Sequence, residues 1–380
     1  MMQKRVWRAS FLGCLLVLSQ WAMAARSEPA TYPIKQLIYI GQSILPNATS
    51  FHHVPVGGLS GIDYDSQNHR WLMVSDDRAL KGPARAYWAS MSLSDTKVGP
   101  IRIIQQINLK QPDGSLYPNV AKFILQGQGS VPDLESIRLI PSHKGFRYTS
   151  EGDRKLGLNP FIRQARLDGD YVADIPIPNV IKLSRNRGFR DNLALEGSSF
   201  TPDGQHYFVS MEAPLVQDGP LPNTDHGARI RIFEYNHANE LEKSFIYQLD
   251  PWPAAPGKGK SADNGVSEIL AIDNQHLLVL ERAGIEDDKG VYHDYIRIYQ
   301  VDLTHAPTVP VTKMALSKDD QVVHKQLLLD LNSLPVRLDN IEGISFGPTL
   351  KDGSQSLVVI SDNNFNAAEV TQVLAFKVRR

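Results

Sequence analysis

The sequence predicts an all-β protein, a β-propeller of five four-stranded blades closed by its own N-terminal strand, and three observations predict it. Apolar residues alternate or come in short β-branched bursts, and long helical periodicity is missing. Asp-Gly pairs at Asp113, Asp168, Asp203 and Asp352 punctuate these bursts in the manner of hairpin turns. Five segments then repeat one plan: a short strand opening on a small or acidic residue, a turn, and an apolar strand ending on an acid. Repeats of this period mark units that bury their faces only against one another.

Residues 1–24 stand apart from these repeats. Lys4, Arg5 and Arg8 precede an apolar stretch from Phe11 to Leu18, and Ala22-Met23-Ala24 places small residues where a signal peptidase reads. The segment reads as a secretory signal peptide, too short to span a bilayer, leaving 25–380 as one domain, periplasmic or secreted. Cys14 is the sole cysteine. Phe11 occupies the usual leucine position of a lipid-attachment site and the apolar run before Cys14 is very short, which argues against lipidation. A mature chain without cysteine suits an oxidising compartment and excludes a thiolate metal site or a cysteine nucleophile.

The inner strands begin at Leu59-Ser60-Gly61, Leu134-Glu135-Ser136, Leu195-Glu196-Gly197, Val266-Ser267-Glu268 and Ile341-Glu342-Gly343. The second strands end at Ser75-Asp76-Asp77, Ser150-Glu151-Gly152, Ser210-Met211-Glu212, Leu280-Glu281-Arg282 and Ser361-Asp362-Asn363. Openings about 60 to 75 residues apart leave room for two more strands per unit. These are expected at 84–91 and 101–109, at 161–167 and 171–176, at 228–235 and 242–249, and at 295–303 and 323–331. The last unit has only 371–378, so 34–40 supplies its outer strand and closes the ring, removing two exposed edges. A sixth blade would need a hairpin hidden in 112–130 or 214–226.

Gly57-Gly58-Leu59-Ser60-Gly61-Ile62, Asp133-Leu134-Glu135-Ser136-Ile137, Asn192-Leu193-Ala194-Leu195-Glu196-Gly197 and Asn340-Ile341-Glu342-Gly343-Ile344, with Ser361-Asp362-Asn363-Asn364, resemble the bacterial phytase-like family described as "esterase-like activity of phytase". The resemblance runs from about Gly57 to Phe376. It implies a propeller with clustered Glu and Asp residues and a phosphomonoester or phosphodiester hydrolase activity.

The residues themselves point the same way. Innermost strands line a propeller's channel, so Glu135, Glu196, Glu268 and Glu342 are expected in one tier, with Asp76, Glu151, Glu212, Glu281 and Asp362 nearer one rim. Such carboxylates raise one another's pKa unless a cation compensates them. Oxygen donors at this density suit calcium, with magnesium or manganese behind it. Asp76-Asp77, Glu151 with Asp153, and Asp362 with Asn363 and Asn364 are the expected direct ligands. Arginine is the alternative compensation: Arg78, Arg154 and Arg282 follow the rim acids, and Arg138, Arg229, Arg231 and Arg297 recur nearby. In that case the ring is a set of structural salt bridges and the propeller a non-catalytic binder of a ligand or protein.

A phosphate-ester reading uses both sets, with Arg78 and Arg154 binding phosphate oxygens and Asp77 or Glu151 orienting a water. A small phosphorylated compound is the expected substrate. Charge is balanced, 40 basic against 41 acidic residues, so neither nucleic acid nor an anionic membrane is an expected partner. Gly257-Lys258-Gly259-Lys260-Ser261 lacks the setting of a phosphate-binding loop and reads as a flexible loop. Gly58-Leu59-Ser60-Gly61 lacks the spacing of a nucleophile elbow, and Ser60 reads as a close-packing residue. At most one of His52 and His53 could reach a site, and both read as loop residues. Tyr87, Trp88 and Trp252 are the scattered aromatic candidates for a binding rim.

Overall fold

The second strands of the first, fourth and fifth units carry continuous apolar runs because they lie between two neighbouring blades and are covered on both faces. Trp71 to Val74, Leu277 to Leu280 and Leu357 to Ile360 are all buried. These strands belong to a computed structural model that describes residues 30–380. The signal-peptide reading of 1–24 and Cys14 lie outside the described residues.

Each expected strand is present within a few residues of its expected bounds. The first blade runs outward through Leu59–Asp65, Arg70–Ser75, Arg85–Ser90 and Arg102–Asn108. The second runs through Leu134–Leu139, Gly145–Ser150, Phe161–Arg166 and Tyr171–Ile175, and the third through Leu195–Phe200, His206–Met211, Arg229–Asn236 and Leu241–Gln248. Thr308–Val309 adds a short fifth strand to the third blade. The fourth comprises Gly265–Ala271, His276–Glu286, Tyr292–Asp302 and His324–Asp330. In the fifth, Ile341–Thr349, Gln355–Ser361 and Thr371–Arg379 are completed by Gln36–Leu45, which pairs antiparallel with Thr371–Arg379 from Gln36↔Arg379 to Leu45↔Thr371. The chain ends thus share a blade.

No hidden hairpin creates a sixth blade among the described residues. Residues 112–130 instead hold a short helix, Val120–Gln126, capped by the Asn119 side chain, which accepts from Lys122 N at 3.0 Å, and stopped by left-handed Gly127. The 214–226 connection carries no strand and is pinned by Asp218, whose carboxylate takes a bidentate pair from buried Arg231 at 2.7 and 2.8 Å. The Asp-Gly turns are built as the sequence suggests. The side chains of Asp168, Asp203 and Asp352 accept the amide two residues on.

Small residues bring the inner strands together at the axis. A Cβ on Gly61 would lie 2.6 Å from Glu135 O, and one on Gly197 would lie 2.6 Å from Ile269 N. Hydrophobic clusters fill the seams between blades, as with Trp71, Tyr87 and Val373 between the fifth and first, or Trp88, Ile137 and Tyr148 between the first and second. Tyr87 and Trp88 are therefore core residues and do not serve as rim anchors.

Arg138 closes the channel. Its guanidinium donates to the carbonyls of Ile62, Ser198, Ile269 and Ile344 at 2.8, 2.6, 3.1 and 2.9 Å, one from each of the other four blades. Glu268 Oε2 lies 2.9 Å from the same guanidinium and accepts from Ser136 Oγ, while Glu268 Oε1 accepts from the Ser198 amide. Arg138 also lines a depression of about 340 Å3 at the end of the channel bounded by Asp63, His143 and Ser345. The opposite end is consequently a cup with one mouth.

Candidate functional site

The cup is built by one repeated device. In four of the five blades the inner strand is preceded by a residue whose carbonyl accepts the amide of the rim acid in the same blade: Gly58 from Asp76 (2.9 Å), Asp133 from Glu151 (3.0 Å), Ala194 from Glu212 (2.8 Å) and Asn340 from Asp362 (2.9 Å). This bond fixes where the second strand ends and turns its acid toward the axis. The inner-strand register sets the deeper tier, in which Leu59, Leu134, Leu195, Val266 and Ile341 pair with Ser75, Ser150, Met211, Glu281 and Ser361. The next residue on each strand is then Ser60, Glu135, Glu196, Ser267 and Glu342 in the deep tier, and Asp76, Glu151, Glu212, Arg282 and Asp362 at the rim.

This register corrects two expectations in the fourth blade. Glu268 is one residue past the deep tier and turns to Arg138, where other blades carry glycine or serine. Glu281 is one residue short of the rim. It faces the seam with the third blade, taking bonds from Tyr247 Oη and Lys325 Nζ, both at 2.6 Å. A one-residue offset reverses the face a strand side chain occupies.

The cavity, of about 630 Å3, is lined by Asp76, Asp133, Glu135, Glu151, Glu196, Glu212 and Glu342, with Arg78 and Arg282 among them. Two oxygen triads, Asp133-Glu135-Glu151 and Glu151-Glu196-Glu212, each bring their ligand atoms within 4.8 Å of one another and share Glu151. Burial and then the neighbouring carboxylates drive Asp76, Glu135, Glu151, Glu196 and Asp362 well above the usual carboxylate range. Burial pushes Asp133 up to about 7 against the pull of Arg78, and Glu212 up to about 8 against that of Arg282.

The two arginines are held by acids. Arg282 lies 3.4 Å from Glu212, 3.5 Å from Asp263 and 3.8 Å from Glu342. Burial works to lower its pKa, but these carboxylates outweigh it and hold it above the ordinary value. Arg78 reaches Asp133 at 3.4 Å and Asp153 at 2.6 Å. Arg78, Asn192 and Asn364 all line the cavity in left-handed backbone, with φ of 54°, 54° and 47°. Strain of that kind gathers where a site constrains its backbone.

Other expected residues lie elsewhere. Asp77 is buried against Arg85, itself bonded to Tyr87, and does not line the cavity. Arg154 donates to the carbonyls of Ser184, Arg187 and Phe189 at 2.7, 3.1 and 2.7 Å, and so braces a loop. Asp153 positions Arg78 from behind. Arg229 binds the carbonyls of Ser317 and Lys318, and Arg297 pairs with Asp250 at 3.4 Å, both away from the cup. His52 and His53 form a turn between Ser50–Phe51 and Val54–Pro55. The structural-pairing alternative therefore describes Arg85, Arg138 and Arg231, while the rim acids remain in excess. Asp77→Ala should cost about 3–5 kcal/mol by leaving Arg85 buried without its acid. Denaturant melts should show that loss.

The donor set is made of hard oxygens, and Asp362 Oδ2, beside Asp76, is buried without a hydrogen-bond partner. Both features fit a divalent cation such as calcium. Asp133 is the principal site residue to which the sequence reading gave no role, although it stands in the Asp133-Leu134-Glu135 motif; Asn192, Asp263 and Glu369 also line the cup.

A family model described as "Phytase-like: Esterase-like activity of phytase" matches residues 54–365. No curated protein matches the chain. Among solved structures, the chain is similar to the catalytic domain of Coprinopsis cinerea GH62 alpha-L-arabinofuranosidase at 11% identity, covering 91% of this chain and 98% of that one with a TM-score of 0.44. It is similar to a beta-fructofuranosidase from Schwanniomyces occidentalis at 11% identity, covering 90% and 58%, TM-score 0.41. The tail fiber of Staphylococcus aureus phage P68 is matched at 11% identity over 89% and 53%, TM-score 0.40. These likenesses are too distant to carry chemistry across.

Proposed function

The chain belongs to the phytase-like family, "esterase-like activity of phytase", and from that premise we propose that its acidic cup is a calcium-dependent site that hydrolyses phosphate mono- or diesters of a small phosphorylated compound. The observation that carries the reading is the charge imbalance in the cup. Asp76, Asp133, Glu135, Glu151, Glu196, Glu212 and Glu342 converge in a cavity whose arginines, among the described lining residues, are Arg78, Arg282 and Arg337, and a pair of oxygen triads shares Glu151. A propeller that used its acids for stability alone would pair them, as Arg138 pairs with Glu268.

In this reading the two triads, with Asp76 and Asp362, would hold the cation. Bound there, calcium would neutralise phosphate oxygens and lower the pKa of a water. Arg78 and Arg282 donate N–H groups to the remaining phosphate oxygens, each kept in place by its own acids. The Asp133 carboxylate oxygen turned away from the cation can take a proton from the attacking water and return it to the leaving alcohol. The Arg138 floor keeps bulk water from entering behind the substrate.

The test is a thermal melt with calcium and then with excess chelator, followed by p-nitrophenol release from mono- and bis-p-nitrophenyl phosphate. A rise of several degrees with calcium together with calcium-dependent release supports the proposal. Neither shift nor turnover would make the acids structural and the propeller a binder.

A further inference from the structure

The blade-four hairpin is longer than its counterparts. Its strands, His276–Glu286 and Tyr292–Asp302, have 11 residues each, where the corresponding strands of the first blade have six. The extra length carries Gly290, Val291 and Tyr292 to the wall of the acidic cup. Val291 and Tyr292 are 46% and 51% exposed, apolar groups at the edge of an otherwise charged mouth. Tyr292 also borders a second cavity of about 250 Å3, formed with Tyr295, Val336, Arg337 and Leu338. Its ring lies against Gly284, where an added Cβ would sit 3.6 Å from Tyr292 Cδ1. The Gly284 amide donates to Asp263 at 2.8 Å, and Asp263 pairs with Arg282, so the ring stands next to a proposed phosphate-binding arginine.

This wall is rigid. Residues 257–263, which contain the Gly257-Lys258-Gly259-Lys260-Ser261 segment that the sequence suggests is a flexible loop, run along it as a brace: Gly257 N donates to Glu286 O (2.8 Å), Asp263 N to Gly284 O (3.0 Å) and Glu286 N to Ser261 O (3.0 Å). Lys260 adds a pair with Glu286 at 2.9 Å. A rigid aromatic face beside a phosphate site loses little entropy when it receives an apolar group.

The charge of the whole mouth narrows the ligand further. Beyond the inner acids it presents Asp263, Asp294, Asp339 and Glu369, against Arg78, Arg282 and Arg337 as its only arginines or lysines among the described lining residues. One phosphate can be matched by a cation and two arginines. A densely phosphorylated polyol would meet repulsion around most of the rim.

We propose, resting on the phosphoester reading above, that Tyr292 and Val291 form the subsite for the alcohol portion of the substrate, and that this portion is apolar or aromatic and carries a single phosphoester. Binding decides this without relying on turnover. Calcium-loaded wild type, Tyr292→Ala and Tyr292→Phe are titrated with phenylphosphonate, methylphosphonate and inositol hexakisphosphate, and KM and kcat are measured for p-nitrophenyl phosphate and glycerol 2-phosphate. The expected result is that phenylphosphonate binds wild type about tenfold more tightly than methylphosphonate. That preference should vanish in Tyr292→Ala and survive in Tyr292→Phe, with KM for the aryl ester rising in Tyr292→Ala more than KM for glycerol 2-phosphate. A preference that persists in Tyr292→Ala, or tighter binding of inositol hexakisphosphate than of phenylphosphonate, overturns the subsite. If calcium binds and neither phosphonate does, the phosphoester reading itself fails and the subsite falls with it.

Discussion

Arg138→Met should lower the stability of the metal-free protein by about 3–5 kcal/mol, the usual cost of removing one partner of a buried ion pair. Arg138 is 2% exposed and donates to carbonyls from four other blades, so the substitution leaves those acceptors without their donor and Glu268 without its counter-charge. Methionine fills much of the volume but offers no hydrogen. The loss should depend on pH. Burial already pushes Glu268 up to about 7 while Arg138 pulls it down, so removing the arginine raises it further. A raised acid gives stability that is full below its unfolded value and fades as pH rises through its folded value. The gap between variant and wild type therefore widens above pH 7. Urea melts at pH 6 and pH 8.5 measure this, and the double variant Arg138→Met/Glu268→Gln should regain part of the loss at the higher pH. A single variant as stable as wild type would show that the seams alone hold the ring.

The star of Arg138 also marks the limit of what the chain's residues disclose in one dimension. Strands and blades are legible because the second strands of the first, fourth and fifth blades hold unbroken apolar runs, and because the Asp-Gly turns carry their own side-chain acceptors. The closing strand, Gln36–Leu45, is legible too, as an apolar segment that the last unit's missing outer strand calls for. Arg138, by contrast, looks like any arginine on a β-strand; its acceptors are backbone carbonyls, which have no residue signature. The fourth blade misleads for a related reason. Lining up its acids with those of the other blades puts Glu268 and Glu281 in the ring, whereas lining up the apolar residue that opens each inner strand, Val266, puts Ser267 and Arg282 there. Apolar anchors fix register because a slip would expose a core side chain, while a slipped acid can find a different partner. Arg282, which the sequence marks as a compensating arginine, is by that offset the one basic residue of the rim ring, and Asp133 lies just outside the strand whose acids repeat.

Glu151→Gln should remove calcium-dependent stabilisation and reduce phosphoester turnover by about 10³-fold or more, because Glu151 alone belongs to both oxygen triads. Its own geometry is secure, with one oxygen accepting the Ala194 amide, and glutamine can keep that bond. The fold should survive, and with chelator present the variant should be more stable than wild type at pH 8. The sign follows from the carboxyls. Glu212 is pushed up to about 8 and Asp133 to about 7, both above their ordinary values of 4.5 and 3.8, so the metal-free native state holds protons that the unfolded chain gives up. Its stability is full in acid and declines as pH rises from about 4 through 8. Removing one acid from the cluster relieves part of that decline. Calcium acts in the opposite direction, since binding requires the deprotonated oxygens and contributes about 2.7 kcal/mol at a hundredfold excess over Kd. Melts of wild type between pH 5.5 and 8 should fall with pH in chelator and rise with pH in calcium, and the Glu151→Gln curves should coincide with and without the ion. If wild type shows one pH profile under both conditions, the cup holds its acids as neutral, proton-sharing groups and no cation compensates them.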